Sequence, residues 1–222
     1  MRHYWPGHDY WQLHMAASCR AQRSHHHCIA RSDCCPWRAD LCTVPGWIGG
    51  DFIDSQSVKD CLKSFTILVD SREHDTEKYR ARICKFGCPV LKTKLDFGDY
   101  SAQCELPSGV TFSLADKACI ERKQNLTELA GNLSTSRDRF KREFERAQAK
   151  DAKLYLLVEQ ATWEKAYTGQ YRSKMKPNAL TASMTTWMVR YDSQILMCHP
   201  DTTAKLIYDV LYREMIEALK EI

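Results

Sequence analysis

The amino-acid sequence predicts an α/β protein: a three-layer sandwich built on a mixed sheet. Three observations predict it. Short apolar runs at 65–69 and 154–158 read as buried strands, the second apolar almost throughout, as buried parallel strands tend to be. Between them, residues 90–122 read as a meander of strands separated by turns. Beyond 126, strands alternate with helices, which places helical layers over the sheet.

The elements follow in order. The run 65–69 ends in Asp70, an acid at the C-terminal end of a strand. Residues 70–85 read as a helix with Tyr79 and Ile83 toward the core, stopped by Gly87 and Pro89. Residues 90–95 alternate as a strand, Phe97-Gly98-Asp99 turns the chain, and 100–105 is another strand. Pro107-Ser108-Gly109 is a hairpin-type turn that 111–114 extends, and 118–122 is again a strand. Residues 126–150 read as one long charged helix with an apolar stripe of Leu129, Leu133, Phe140, Phe144 and Ala147. Thr162 is placed to cap a short helix over 162–168, and 170–176 is a basic loop. Pro177 opens a helix to 191, residues 194–198 form a strand, and 202–219 form the last helix. Its Ile207, Leu211 and Met215 serve either the core or a protein interface.

Residues 1–60 differ in kind. They hold five of the 11 cysteines, four of the six tryptophans and the run His25-His26-His27, without sustained periodicity. Pro45, Gly46, Gly49 and Gly50 mark a linker, so a boundary is expected near 59–64, between a Cys/His-rich N-terminal region (1–60) and a domain over 61–222. His25, Cys28, Cys35 and Cys42 offer soft ligands for a structural Zn²⁺, although the spacing fits no standard finger and free thiols are the alternative.

Composition narrows the function classes. With 222 residues and 44% hydrophobic content, the chain can bury a sizeable core. Its mean hydropathy of −0.49 and the lack of any apolar run near ~20 residues exclude a membrane helix. The first ten residues have no apolar signal-peptide core, so a cytoplasmic protein is expected, in a bacterial or phage-infected cell. An odd cysteine count without an export signal argues against a disulfide framework. The net charge of +4 permits nucleic-acid binding without demanding it.

The chemistry centres on Ile120-Glu121-Arg122-Lys123. In a strand, Glu121 and Lys123 share a face and Arg122 takes the other. A carboxylate beside an ammonium is what a metal-dependent phosphodiesterase needs: one holds a divalent ion, the other orients the attacking water or neutralises phosphate charge. Asp70 with Glu73, then Asp99, then Glu121 with Lys123 all fall at strand ends. Carboxylates gathered together repel one another unless a cation sits among them, and oxygen ligands suit Mg²⁺ or Mn²⁺. Without that convergence, the same residues would read as a surface salt-bridge network.

The strings Val69-Asp70-Ser71-Arg72-Glu73, Gly98-Asp99-Tyr100 and Glu121-Arg122-Lys123 resemble the XPF family of structure-specific endonucleases. Glu128-Leu129 stands where that family carries an acidic-Leu pair. The likeness is specific over about 65–133 and looser to the C-terminus. It implies a restriction-endonuclease-like nuclease fold, Mg²⁺ dependence and incision of one strand of branched or flap DNA in repair, recombination or phage DNA processing. On that resemblance Asp99, Glu121 and Asp70 hold the metal, Lys123 assists the nucleophile, Glu73 completes the acidic cluster and Arg122 supports the site or the scissile phosphate. The family's helix-hairpin-helix pairs are not found after Ile195, nor is a helicase-like domain present. The chain therefore reads as a compact phage or bacterial member, with a homodimer as the expectation. The alternative is a catalytically inactive, DNA-binding accessory protein on the same fold.

DNA contacts are expected from Arg137 and Arg139 on the long helix and from Arg172, Lys174 and Lys176, a loop without compensating acids. Pairs such as Asp138–Arg142 would instead make the helix a solvated face. Trp163 and Trp187 read as core, and Cys84, Cys88 and His199 as structural.

Overall fold

Strand-forming apolar runs and capped helices set the architecture, which a computed structural model describes for residues 55–222. The candidate zinc ligands His25, Cys28, Cys35 and Cys42 lie outside the described residues. In chain order the elements are α1 (Ser55–Leu62), β1 (Thr66–Asp70), α2 (Glu77–Ile83), β2 (Val90–Thr93), β3 (Tyr100–Glu105), β4 (Thr111–Ser113), β5 (Ala118–Lys123), α3 (Leu126–Leu133), α4 (Arg137–Ala149), β6 (Lys153–Glu159), α5 (Trp163–Thr168), α6 (Pro177–Tyr191), β7 (Ile195–Cys198) and α7 (Thr203–Lys220).

The sheet is mixed and seven-stranded, in the order β2-β1-β3-β5-β6-β7, with β4 paired to the far end of β3. β1 is parallel to β2 and antiparallel to β3, and β3 is antiparallel to β5. The run β5, β6, β7 is parallel, so each step needs a crossover, supplied by α3–α4 and then α5–α6. This connectivity brings the C-terminal ends of β1, β5 and β6 and the entry to β3 to one edge of the sheet. Asp70, Lys123, Glu159 and Asp99 are therefore neighbours in space.

Alternation along the strands makes the three layers. Cys119, Leu154, Leu156 and Val158 face α3, α4, α5 and α6, where Phe140, Phe144 and the fully buried Trp187 pack together. Ile67, Ile120, Tyr155 and Leu157 face the opposite layer of α1, α2 and α7. Ile207, Leu211 and Met215 of α7 are fully buried there, which settles them as core.

Three boundaries depart from the sequence reading. The first is α1, which crosses the expected boundary near 59–64; its Val58 and Cys61 are buried in the sheet's core, so the domain begins upstream of residue 61. The helix expected over 70–85 is confined to Glu77–Ile83. The Asp70 carboxylate accepts the Arg72 amide at 2.6 Å and shapes 71–76 as a turn, and α2 starts only where the Thr76 hydroxyl accepts from the Tyr79 amide. The long helix over 126–150 is two helices broken at Ser134, Thr135 and Ser136. There the Ser134 hydroxyl donates to Ala130 O at 2.6 Å, and the amides of Ser134 and Ser136 both reach Gly131 O. The break lets each half turn its own apolar stripe onto the sheet.

Candidate active site

Asp99 is placed by backbone bonds on both sides. Its amide donates to Ile120 O at 2.8 Å and its carbonyl accepts from the Asp70 amide at 2.9 Å, so the turn is stitched between β1 and β5. Gly98 makes this turn possible. It adopts φ +70°, and a Cβ there would lie 2.8 Å from Cys119 Cβ. The Gly98 amide donates to Glu143 Oε1 of α4 at 3.1 Å, tying the turn to the helical layer.

Asp99 Oδ2 accepts the Arg122 amide at 2.8 Å. Glu121 and Lys123 extend from the same face of β5 and hydrogen-bond each other. The Lys123 ammonium also lies 5.2 Å from the Phe140 ring centroid. Asp99, Glu121 and Lys123 together line one open cleft of about 450 Å³, with Glu73, Glu128 and Glu143 on its walls.

The electrostatics of the cleft are those of crowded carboxylates. Burial pushes Asp99 well above the usual carboxylate range, and Glu121 adds to it, against the pull of Lys123. Burial also raises Glu121, to about 7, with Lys123 lowering it and Glu143 raising it. Burial opposes the charge on Lys123, yet Glu121 and Asp99 outweigh that and hold its ammonium above the usual range.

Two carboxylates here fit a divalent cation. Glu121 is only 4% exposed, and its Oε2 is buried with no hydrogen-bond partner among the described residues. An orphaned buried carboxylate oxygen costs free energy that a cation would recover. Among the described residues no three His, Cys, Asp or Glu side chains converge tightly enough to cage an ion alone. Mg²⁺ does not require that, since it keeps several waters and uses one or two carboxylates plus substrate phosphate. Asp99 and Glu121 are the residues that could hold it.

Other expected residues fall differently. Asp70 reaches the cleft wall, but both its oxygens are engaged: Oδ1 by the Arg72 amide and Nε, Oδ2 by Arg72 Nη2 at 2.6 Å and the Leu95 amide at 3.0 Å. Burial pushes its carboxyl up, but these bonds outweigh it and hold the group below its usual range. It is a clamp on the turn after β1, and the expected three-carboxylate set of Asp70, Asp99 and Glu121 does not form. Glu73 does line the cleft, with Arg82 at 3.5 Å. The Arg122 side chain points to the opposite face, bidentate to Glu159 at 2.8 and 2.7 Å. Only its backbone serves the cleft, as strand alternation requires.

Arg137 also misses the cleft. Its guanidinium lies 4.6 Å from the Trp187 ring centroid and donates to Leu133 O, which makes it a brace between α4 and α6. Arg139 does line the cleft. Arg172, Lys174 and Lys176 are exposed on the loop before α6, which is docked where the Arg172 amide donates to Thr127 Oγ1. The Asp138–Arg142 pair is not formed; α4 pairs Lys141 with Glu145 instead. Trp163 is half-buried against the core, Cys84 is exposed, Cys88 half-buried, and His199 is exposed beside Asp201.

Sequence reasoning missed Glu159, Arg82, Tyr100 and Glu143. Behind the sheet Arg82 Nε donates to the Tyr100 hydroxyl at 2.7 Å and its Nη1 stands 3.9 Å from Glu159, whose Oε1 also accepts from Thr203. One signal was available: like Asp70, Glu159 is an acid closing an apolar strand.

The mixed sheet and the lysine-bearing acidic cleft at its strand ends define a nuclease-type α/β domain. The ERCC4 domain family matches residues 69–210, from the end of β1 into α7, and the chain belongs to that family. Among solved structures it is similar to XPF from Aeropyrum pernix, at 19% identity and a TM-score of 0.49, covering 67% of this chain and 61% of that chain. It is similar also to XPF from Aeropyrum pernix in complex with DNA, at 21% identity and a TM-score of 0.49, covering 69% of this chain and 66% of that one. The chain thus spans 61% and 66% of the length of those two chains. No curated protein matches. Among the described residues no helix is long and apolar enough to cross a membrane.

Proposed function

We propose that the chain is a Mg²⁺-dependent DNA endonuclease, with Mn²⁺ able to replace Mg²⁺, that hydrolyses a phosphodiester bond in branched or flap DNA. Membership of the ERCC4 family supports the nuclease class. The observation that carries the reading is the shared cleft: Asp99, Glu121 and Lys123 meet there, with Glu121 Oε2 unpartnered.

Asp99 and Glu121 would hold the ion, which when bound supplies Lewis-acid polarisation of the phosphoryl oxygens and a more acidic water. The chain's own groups do the rest. Lys123, held in its charged form by Glu121 and Asp99, places an ammonium where negative charge grows on the phosphoryl group. The Phe140 ring and the Glu121 hydrogen bond fix its position, so little reorganisation is needed as charge develops. The Arg122 amide holds the Asp99 carboxylate at one oxygen, leaving its other oxygen to the cleft. Exposed Arg172, Lys174 and Lys176 add phosphate affinity from the neighbouring loop. A cytoplasmic setting and a pairing of two copies belong to the same reading.

A panel of flap, fork, four-way-junction and plain duplex DNA, each incubated with Mg²⁺, tests it. The reading expects incision of branched substrates that Asp99→Ala abolishes while binding persists. Binding without incision in either Mg²⁺ or Mn²⁺ would replace it with the non-catalytic accessory role.

A further inference from the structure

We propose that α4 carries the seat for the DNA strand being cut: a row of Arg139, Arg142 and Arg146 that binds consecutive phosphates beside Lys123. The proposal rests on the nuclease reading and deepens it.

The three arginines stand at i, i+3 and i+7, which puts them on one face of a helix. That face is the one turned to the catalytic cleft, and all three line it. Two of them are not spent on the protein's own acids, while Arg146 stands 4.0 Å from Glu143. Arg139 and Arg142 are exposed and have no ion pair or hydrogen bond among the described residues. Glu145 is taken by Lys141, and Glu143 accepts from the Gly98 amide and stands beside Arg146. Arg146 is partly anchored, with Nε donating to Asp96 O at 2.7 Å, and its side chain is still 45% exposed.

An exposed guanidinium with no carboxylate is free to pair with phosphate, and its planar fork suits two phosphate oxygens. Seven residues of helix rise about 10 Å. A DNA strand presents a phosphate every ~3.4 Å along its axis, so the row can face about three of them. The acids Asp99, Glu121, Glu128 and Glu143 line the same cleft and would repel a bare polyanion. Cations along the rim are what let a strand approach at all. In the sequence Arg142 and Arg146 belong to a basic face with Arg137, Arg139 and Lys141, interleaved with Asp138, Glu143 and Glu145. The helix orientation turns the arginines to the cleft together with Glu143, and leaves Asp138 and Glu145 off it.

The test measures binding of a fluorescently labelled flap duplex to the full chain in EDTA, by anisotropy, over 50–300 mM salt. Arg139→Gln and Arg142→Gln should each lower the slope of log affinity against log salt by ~0.9, the value for one lost phosphate contact. Arg142→Lys should restore most of the slope, because it restores the charge. Lys141→Gln, whose partner is Glu145, should leave it unchanged. Melting curves equal to that of the unaltered chain confirm that the exposed substitutions leave the fold intact. Unchanged slopes with intact binding would overturn this seat alone, showing that the arginines only balance the cleft's acids. No binding by the unaltered chain would overturn the nuclease reading and the seat together.

Discussion

Glu159 grips the guanidinium of Arg122 with both carboxylate oxygens, at 2.8 and 2.7 Å, on the face of the sheet opposite the acidic cleft. The pair is nearly dry, with side-chain exposures of 13% and 6%. The Arg122 amide holds Asp99, so this grip fixes the cleft from behind.

Glu159→Gln should therefore destabilise the domain by about 3–5 kcal/mol, the cost of leaving Arg122 buried without its counter-charge, while Arg82 keeps Glu73. The effect depends on pH. Burial pushes the Glu159 carboxyl up, but hydrogen bonds from Arg122 and Thr203 outweigh it and hold it below the usual range. The unfolded chain's carboxylate titrates near ~4.3. The stabilisation is thus complete above that pH and is lost as pH falls through the lower folded value. Urea unfolding at pH 7 should separate the two proteins widely, and the gap should close as pH falls below ~4.

Asp70 and Arg72 should behave as one unit. Asp70→Asn and Arg72→Ala should each lower stability by about 2 kcal/mol, the scale of a charge-assisted hydrogen bond lost at a buried group. The double variant should lose little more than either single one. Simple addition of the two losses would show that the clamp is not what holds 71–76.

Gly98→Ala should disturb the turn that presents Asp99. A Cβ there is pressed 2.8 Å from Cys119 Cβ and 3.3 Å from Ile120 O, at a φ that alanine avoids. The expected cost is about 1–3 kcal/mol in stability, with a larger proportional loss of incision. Gly109→Ala is the control: it shares a positive φ and has nothing within 4 Å.

Glu121→Gln should separate metal binding from folding. It removes a charge from a crowded cleft and keeps the side chain's shape. Mg²⁺ should raise the melting temperature of the unaltered chain in a concentration-dependent way and leave Glu121→Gln unmoved. An equal shift in both would place the ion elsewhere.

Most of this arrangement was legible in the sequence where local rules govern. Period-two alternation gave β2 and β5, an apolar run gave β6, proline at N1 gave α6, and the ordered acids at strand ends pointed to the cleft. What stayed hidden depends on long-range partners. That Asp70 is saturated follows from Arg72 and the Leu95 amide, and no periodicity reveals a carboxylate's hydrogen bonds. The division of α3 from α4 turned on the Ser134 hydroxyl and the Ser134 and Ser136 amides taking the Ala130 and Gly131 carbonyls. Arg137 and Arg139, two residues apart and alike in kind, part company because one lies over Trp187 and the other lines the cleft.

Incision of an end-labelled flap duplex in Mg²⁺, by the unaltered chain and by Lys123→Ala, measures most directly whether Asp99, Glu121 and Lys123 form one catalytic cleft. The expected result is a discrete cut by the unaltered chain, suppressed by EDTA, and a rate at least ~10²-fold lower in Lys123→Ala with the fold and DNA binding preserved. Equal cutting by the two proteins, or cutting that persists in EDTA, would contradict it.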